Sequence, residues 1–119
     1  MWKNDSAFRP VENPETIATA IRIGNPASWK KALDAVKWSR GVVEEVTDEE
    51  IIGASIAVNK SGIGAEPASC ATIAGAKKLS EKGIIKKDET VVGILTGHML
   101  KDTDFIIKHF SGKSKNGKV

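Results

Sequence analysis

Apolar and polar positions along this chain fall into blocks, and the blocks change period at glycine, proline and capping residues. Thr16-Ile17-Ala18-Thr19-Ala20-Ile21-Arg22-Ile23 is rich in apolar side chains and stops at Gly24-Asn25-Pro26. Gly24 frees the backbone, Asn25 is a capping residue type, and Pro26 fits a first helical turn. The pattern predicts a helix from 26 to about 39, with Trp29, Ala32, Leu33 and Val36 on one face and Lys30, Lys31, Asp34 and Lys37 mostly on the other. Gly41 is the expected left-handed stop. Residues 1–13, with Trp2 and Phe8 as their only large apolar side chains, read as extended chain.

Gly41-Val42-Val43-Glu44-Glu45-Val46 is short and β-branched, which predicts a strand. Thr47-Asp48-Glu49-Glu50 then supplies a capping box, in which the Thr47 hydroxyl meets the Glu50 amide and the Glu50 carboxylate reaches back. A helix over about 48–60 follows, burying Ile51, Ile52, Ser55, Ile56 and Val58 and ending at Gly62. Another begins at Pro67 and continues to about 82, with Gly83 as its stop. Its face of Ala68, Ala71, Ala74 and Gly75 has little side-chain bulk, so a neighbour can approach closely; Lys77, Lys78, Glu81 and Lys82 form its solvated end. Thr90-Val91-Val92-Gly93-Ile94-Leu95 is apolar without alternation, the mark of a strand covered on both faces. A last helix, about 103–110, has Asp102 placed to cap it and Phe105, Ile106 and Phe110 as apolar contacts.

The predicted order is α-β-α-α-β-α, an α/β arrangement with parallel strands joined by right-handed crossovers. Two parallel strands leave both edges open and their Val/Ile/Leu surface uncovered, so the pattern implies part of a larger sheet.

At 119 residues, 40% of them hydrophobic, the chain fits one domain with a modest core. Residues 1–110 are read as that unit and 111–119 as a flexible basic tail. The formal charge of +3 is carried by Lys113, Lys115 and Lys118 of the tail, and Arg9, Arg22 and Arg40 are scattered, so nucleic acid is not the expected partner. A lone cysteine, Cys70, forms no internal disulfide, and no run has the roughly eighteen apolar residues of a membrane span, so a cytoplasmic protein is expected.

In α/β sheets ligands sit beyond the carboxyl ends of strands, which directs attention to Thr96-Gly97-His98. A buried threonine at a strand end more often bonds nearby backbone than a ligand, but Gly97 permits something to approach the backbone closely. His98 and His109 are the only histidines and have no metal-ligand spacing with Cys70, so no zinc site is expected. For His98, a polar residue at a loop end outweighs a general base. Glu66, just before Pro67, either sets a carboxylate beside a site or stabilises a helix amino terminus by its charge, the latter slightly favoured. Gly62-Ile63-Gly64 lacks the spacing of a phosphate loop.

Taken as a set, Ile21-Arg22-Ile23-Gly24-Asn25-Pro26-Ala27-Ser28-Trp29, Gly64-Ala65-Glu66-Pro67-Ala68-Ser69, and Leu95-Thr96-Gly97-His98 with Leu100-Lys101-Asp102 resemble the threonine synthases, pyridoxal-phosphate enzymes of the tryptophan-synthase-β-like fold (fold type II). The resemblance runs from about residue 10 to 110. It implies a bound pyridoxal 5'-phosphate whose pyridine nitrogen meets the hydroxyl of Thr96, with the Gly24 loop close to the cofactor and Glu66 near the same cavity. A neutral hydroxyl partner leaves that nitrogen largely unprotonated, unlike an aspartate. The family's reaction is a lyase-type conversion of a small molecule, O-phospho-L-homoserine, with water to L-threonine and phosphate. Two residues depart from the family pattern: Cys70 stands where alanine is expected, and Met99 where glycine is expected.

The resemblance also implies that the Schiff-base lysine and the glycine-rich phosphate loop precede this segment, which corresponds to roughly the carboxy-terminal third of such an enzyme. No catalytic residue and no metal ligand is therefore assigned here. The chain by itself is expected to be inactive and to self-associate or pair with a missing amino-terminal portion. The rivals are a threonine dehydratase or cysteine synthase of the same fold, and a non-catalytic self-associating module.

Overall fold

The structure is a computed structural model and describes residues 8–110; the predicted tail at 111–119 lies outside the described residues. Its helices form where local signals start and stop them. Thr47 is the N-cap of helix α2 (Asp48–Lys60), and the capping box is complete: Glu50 N–H donates to Thr47 Oγ1 at 3.2 Å, and Thr47 N–H donates to Glu50 Oε2 at 2.6 Å. Gly62 and Gly83, at φ 84° and 70°, take the left-handed turns just beyond α2 and α3 (Pro67–Glu81). Asp102 caps α4 (Thr103–Phe110) by accepting from Phe105 N–H at 3.2 Å.

Helix α1 (Trp29–Ser39) differs from expectation at both ends. It begins at Trp29 rather than Pro26, after Ser28, whose side chain makes no capping bond. At its other end Arg40, not Gly41, adopts the left-handed conformation (φ 53°), while Gly41 N–H donates to the Val36 carbonyl at 2.9 Å and closes the turn. Phe8 stacks on Trp29 with ring centroids 4.7 Å apart.

Helices α2 and α3 pack on one another and carry the core: Ile51 and Val58 of α2, Cys70 of α3, Ala65 before it, and Ala18 from the amino-terminal segment. Of the residues expected inside α2, Ile51, Ser55 and Val58 are buried, Ile52 is half-buried and Ile56 is exposed. On α3, Ala74 is buried and Ala68, Ala71 and Gly75 half-buried, which fits the close approach that a bare face permits. The segment around Ala18 is held by α2 through Asp48, which accepts from Thr16 Oγ1 at 2.6 Å and from Ile17 N–H at 3.2 Å. It then turns through a 3-10 stretch at Thr19–Ile21 that touches α3.

The two expected strands do not form. Among the described residues there is no β-ladder, only an isolated antiparallel bridge between Ala65 and His98. Residues 41–46 and 90–95 run without regular structure over α3. The first is tied there by lysines: Lys78 Nζ donates to the Glu45 carbonyl at 2.9 Å and sits 3.3 Å from Glu50 Oε2, and Lys82 pairs with Glu44. The second rests Gly93 against Ile73 and Thr72 and packs Leu95 on the core. Its other apolar side chains face solvent, Val92 at 84% and Ile94 at 72% exposure, instead of being covered on both faces. A strand needs a neighbour's N–H and C=O groups, and these segments meet helix side chains instead. Neither the parallel sheet nor its crossover order is therefore present in this structure.

Candidate functional site

The amino terminus of α3 and the turn at 96–98 are held face to face by backbone bonds. Glu66 N–H donates to the Gly97 carbonyl at 3.0 Å, and Met99 N–H donates to the Gly64 carbonyl at 3.3 Å. Two of the three motifs that carry the resemblance thus meet directly. Thr19, in the segment that leads into the third motif, donates through Oγ1 to Asp102 Oδ2 at 2.8 Å, beyond the 96–98 turn.

Glu66 is the N-cap residue of α3, with Pro67 at the first helical position, but its side chain makes no capping bond. The residue is 4% exposed, and its Oε2 lies 3.7 Å from Lys101 Nζ. The carboxylate packs on Gly97 so closely that a Cβ there would stand 1.9 Å from Oε1. Gly97 does admit a close approach, as its residue type suggests, and the group that approaches is this carboxylate.

Ser69, in the first turn of α3 and 1% exposed, ties the helix to the 96–98 turn through its side chain. Its Oγ accepts from Gly97 N–H at 3.0 Å and lies 3.3 Å from Thr96 Oγ1 and 3.4 Å from the Gly97 carbonyl oxygen. Thr96 is exposed rather than buried, and its hydroxyl contacts this serine side chain instead of nearby backbone. The motif Gly64–Ser69 contains this serine without marking a role for it. The usable signal was its place three residues after Glu66, which brings both side chains to one face of the first helical turn.

His98 accepts from Leu100 N–H through Nδ1 at 3.2 Å and caps the 3-10 turn Met99–Lys101, the loop-end role favoured from sequence. Met99 folds against Gly64, its Sδ 3.1 Å from where a Cβ on that glycine would stand. Cys70 is fully buried with its Sγ 3.7 Å from the Ala65 carbonyl, and burial pushes its thiol above the usual range, so it is a packing residue and no nucleophile. Gly24 is engaged elsewhere: its carbonyl accepts from Val11 N–H at 2.9 Å, and a Cβ would stand 1.8 Å from Val11 O, which leaves Val11 and Pro14 as its nearest neighbours. Among the described residues no helix is long and apolar enough to cross a membrane, and no cluster of three or more His, Cys, Asp or Glu residues is placed to hold a metal ion.

Chemically, the arrangement presents an exposed, uncharged hydroxyl on a turn braced by a buried serine and a buried carboxylate. Such a group suits hydrogen bonding to a neutral acceptor.

Residues 3–97 match the family described as pyridoxal-phosphate dependent enzyme. The threonine synthase of Methanosarcina acetivorans is 56% identical over 102 residues, which is 85% of this chain and 25% of that protein. That of Methanocaldococcus jannaschii is 59% identical over 100 residues, 83% of this chain and 25% of that protein. That of Halalkalibacterium halodurans is 59% identical over 93 residues, 77% of this chain and 26% of that protein. The chain spans about a quarter of the length of the curated relatives it matches.

Proposed function

This chain belongs to the pyridoxal-phosphate-dependent enzymes, and from that premise we propose that it supplies one wall of the cofactor site of a threonine synthase, which converts O-phospho-L-homoserine and water to L-threonine and phosphate. The observation that carries this is the Thr96 hydroxyl, exposed on a turn fastened to the amino terminus of α3 and backed by Ser69 at 3.3 Å. Identities of 56–59% to proteins named threonine synthase favour that reaction over the dehydratase and cysteine synthase of the same fold.

Pyridoxal phosphate, when bound, supplies an electron sink for charge that develops next to an amino group. Its fit to these residues is tested by the donor set. A pyridine nitrogen offers one lone pair, and Thr96 has one uncharged hydroxyl whose proton can meet it, while the Glu66 carboxylate packs on Gly97 and pairs with Lys101. Thr96 holds and orients the ring edge. Glu66 acts at one remove, fixing the turn by packing on Gly97, and Gly24 positions the neighbouring loop through its contact with Val11. In this reading 41–46 and 90–95 become strands of a parallel sheet whose other members lie in the rest of the enzyme, and the enzyme works in the cytoplasm on a small-molecule substrate.

The complete protein, loaded with pyridoxal phosphate and given O-phospho-L-homoserine, is expected to release phosphate and threonine in equal amounts. Production of 2-ketobutyrate or cysteine from the corresponding substrates, without that release, would overturn the assignment. The 119-residue chain alone is expected to show no stoichiometric visible absorption band when mixed with the cofactor.

A further inference from the structure

The Ser69 hydroxyl has one proton and two acceptors within reach. A serine oxygen carries one proton and two lone pairs. One lone pair takes the Gly97 N–H at 3.0 Å. Two acceptors compete for the proton, Thr96 Oγ1 at 3.3 Å and the Gly97 carbonyl at 3.4 Å. That carbonyl keeps a second lone pair after accepting the Glu66 N–H at 3.0 Å, so either direction of the Ser69–Thr96 bond is open to the pair, and Thr96 Oγ1 is the nearer of the two acceptors. Once Ser69 donates to it, the Thr96 hydroxyl has to direct its own proton away from Ser69, toward the exposed side.

We propose that Ser69 is a positioning residue that makes Thr96 an outward hydrogen-bond donor, and so favours an unprotonated ring nitrogen in the cofactor that Thr96 contacts. This rests on the reading of Thr96 given above. The opposite arrangement, with Thr96 donating to Ser69, presents only lone pairs outward and suits a protonated nitrogen. Burial matters here, since a serine that is 1% exposed has no water to take over either bond. A free-standing threonine hydroxyl rotates and serves as donor or acceptor with little preference.

The test uses the complete protein loaded with pyridoxal phosphate carrying nitrogen-15 in its ring, with the ring signal followed against pH. Ser69→Ala is expected to raise the midpoint of ring protonation by about one pH unit, a tenfold change in that equilibrium. Ser69→Thr, which keeps the hydroxyl, is expected to stay near the unsubstituted value. In a Thr96→Ala background, Ser69→Ala is expected to move the midpoint no further. A merely structural serine would lower thermal stability and leave the midpoint where it was, and that result overturns the proposal. If Thr96→Ala itself leaves the ring signal unchanged, the contact between Thr96 and the cofactor fails first, so the two failures are told apart. Should Ser69→Ala not fold, Ser69→Cys, a weaker donor of similar shape, is expected to give a smaller shift of the same sign, and an unmoved midpoint overturns the role of Ser69.

Discussion

Helices α2 and α3 and the two extended segments that cross α3 are built from similar apolar residues, yet they end in opposite states. Ile51 of α2 is 3% exposed, whereas Val92 in the second segment is 84% exposed. The helices satisfy their own backbone groups and need only one another to bury a face, which the small side chains along α3 allow. The segments carry N–H and C=O groups that only another strand pairs in register, and here they are fastened by Lys78, Lys82 and Leu95 instead. Local closure of hydrogen bonds separates the helices from the two segments, whose backbone groups find no strand partner among the described residues.

That contrast breaks first at the core. Ile51→Ala is expected to destabilise the chain by about 2–5 kcal/mol, since it removes a buried branched side chain from the α2–α3 contact; urea denaturation followed by helical circular dichroism measures it. A Gly97→Ala substitution is expected to cost about 1–3 kcal/mol, because its Cβ would force the Glu66 carboxylate out of a closely packed site. Loss of cofactor binding by the complete protein, together with the drop in stability, would show that the turn depends on that contact.

Smaller effects test the caps. Thr47→Ala is expected to cost about 0.5–2 kcal/mol and to lower the helical signal. The Thr47 N–H, and after it Lys78, hold the Glu50 carboxyl below its usual value near 4.5. Its contribution to stability is therefore complete above that usual value and fades as pH falls through the lowered one. Glu50→Gln is expected to flatten this acid limb, which denaturation at a series of pH values between neutrality and strong acid would reveal.

The smallest change is expected at the exposed segment, where Val92→Ala should alter the stability of this chain by no more than about 0.5 kcal/mol. In the complete protein the same substitution is expected to cost clearly more if the segment is a covered strand there. Equal effects in the two settings would remove the distinction between the regions.

Signals that act within a turn of chain were legible in the residues alone. Thr47 with Glu50, Gly62, Gly83 and Asp102 each perform the local task their type and spacing suggest. Arg40 in place of Gly41 is the exception: the helix closes one residue earlier, and the arginine takes the left-handed turn. At the site, Thr96 and Glu66 stand out by position, but the reason for Gly97 is hidden, because the carboxylate that requires its bare Cα belongs to a residue far earlier in the chain. Ser69 stayed silent for the same reason, since its partner Thr96 is 27 residues away and no periodicity links them.

The sequence by itself determined the four helices, most of their ends, the apolar and small faces of α2 and α3, and the motifs that mark the family, because capping and amphipathic spacing are short-range properties of the chain. Only the tertiary structure decided that residues 41–46 and 90–95 lie unpaired over α3, and that Ser69, Glu66 and the 96–98 turn form one hydrogen-bonded unit. Strand pairing and hydroxyl orientation depend on groups far apart in the chain, and their energies exist only once folding has brought those groups within bonding distance.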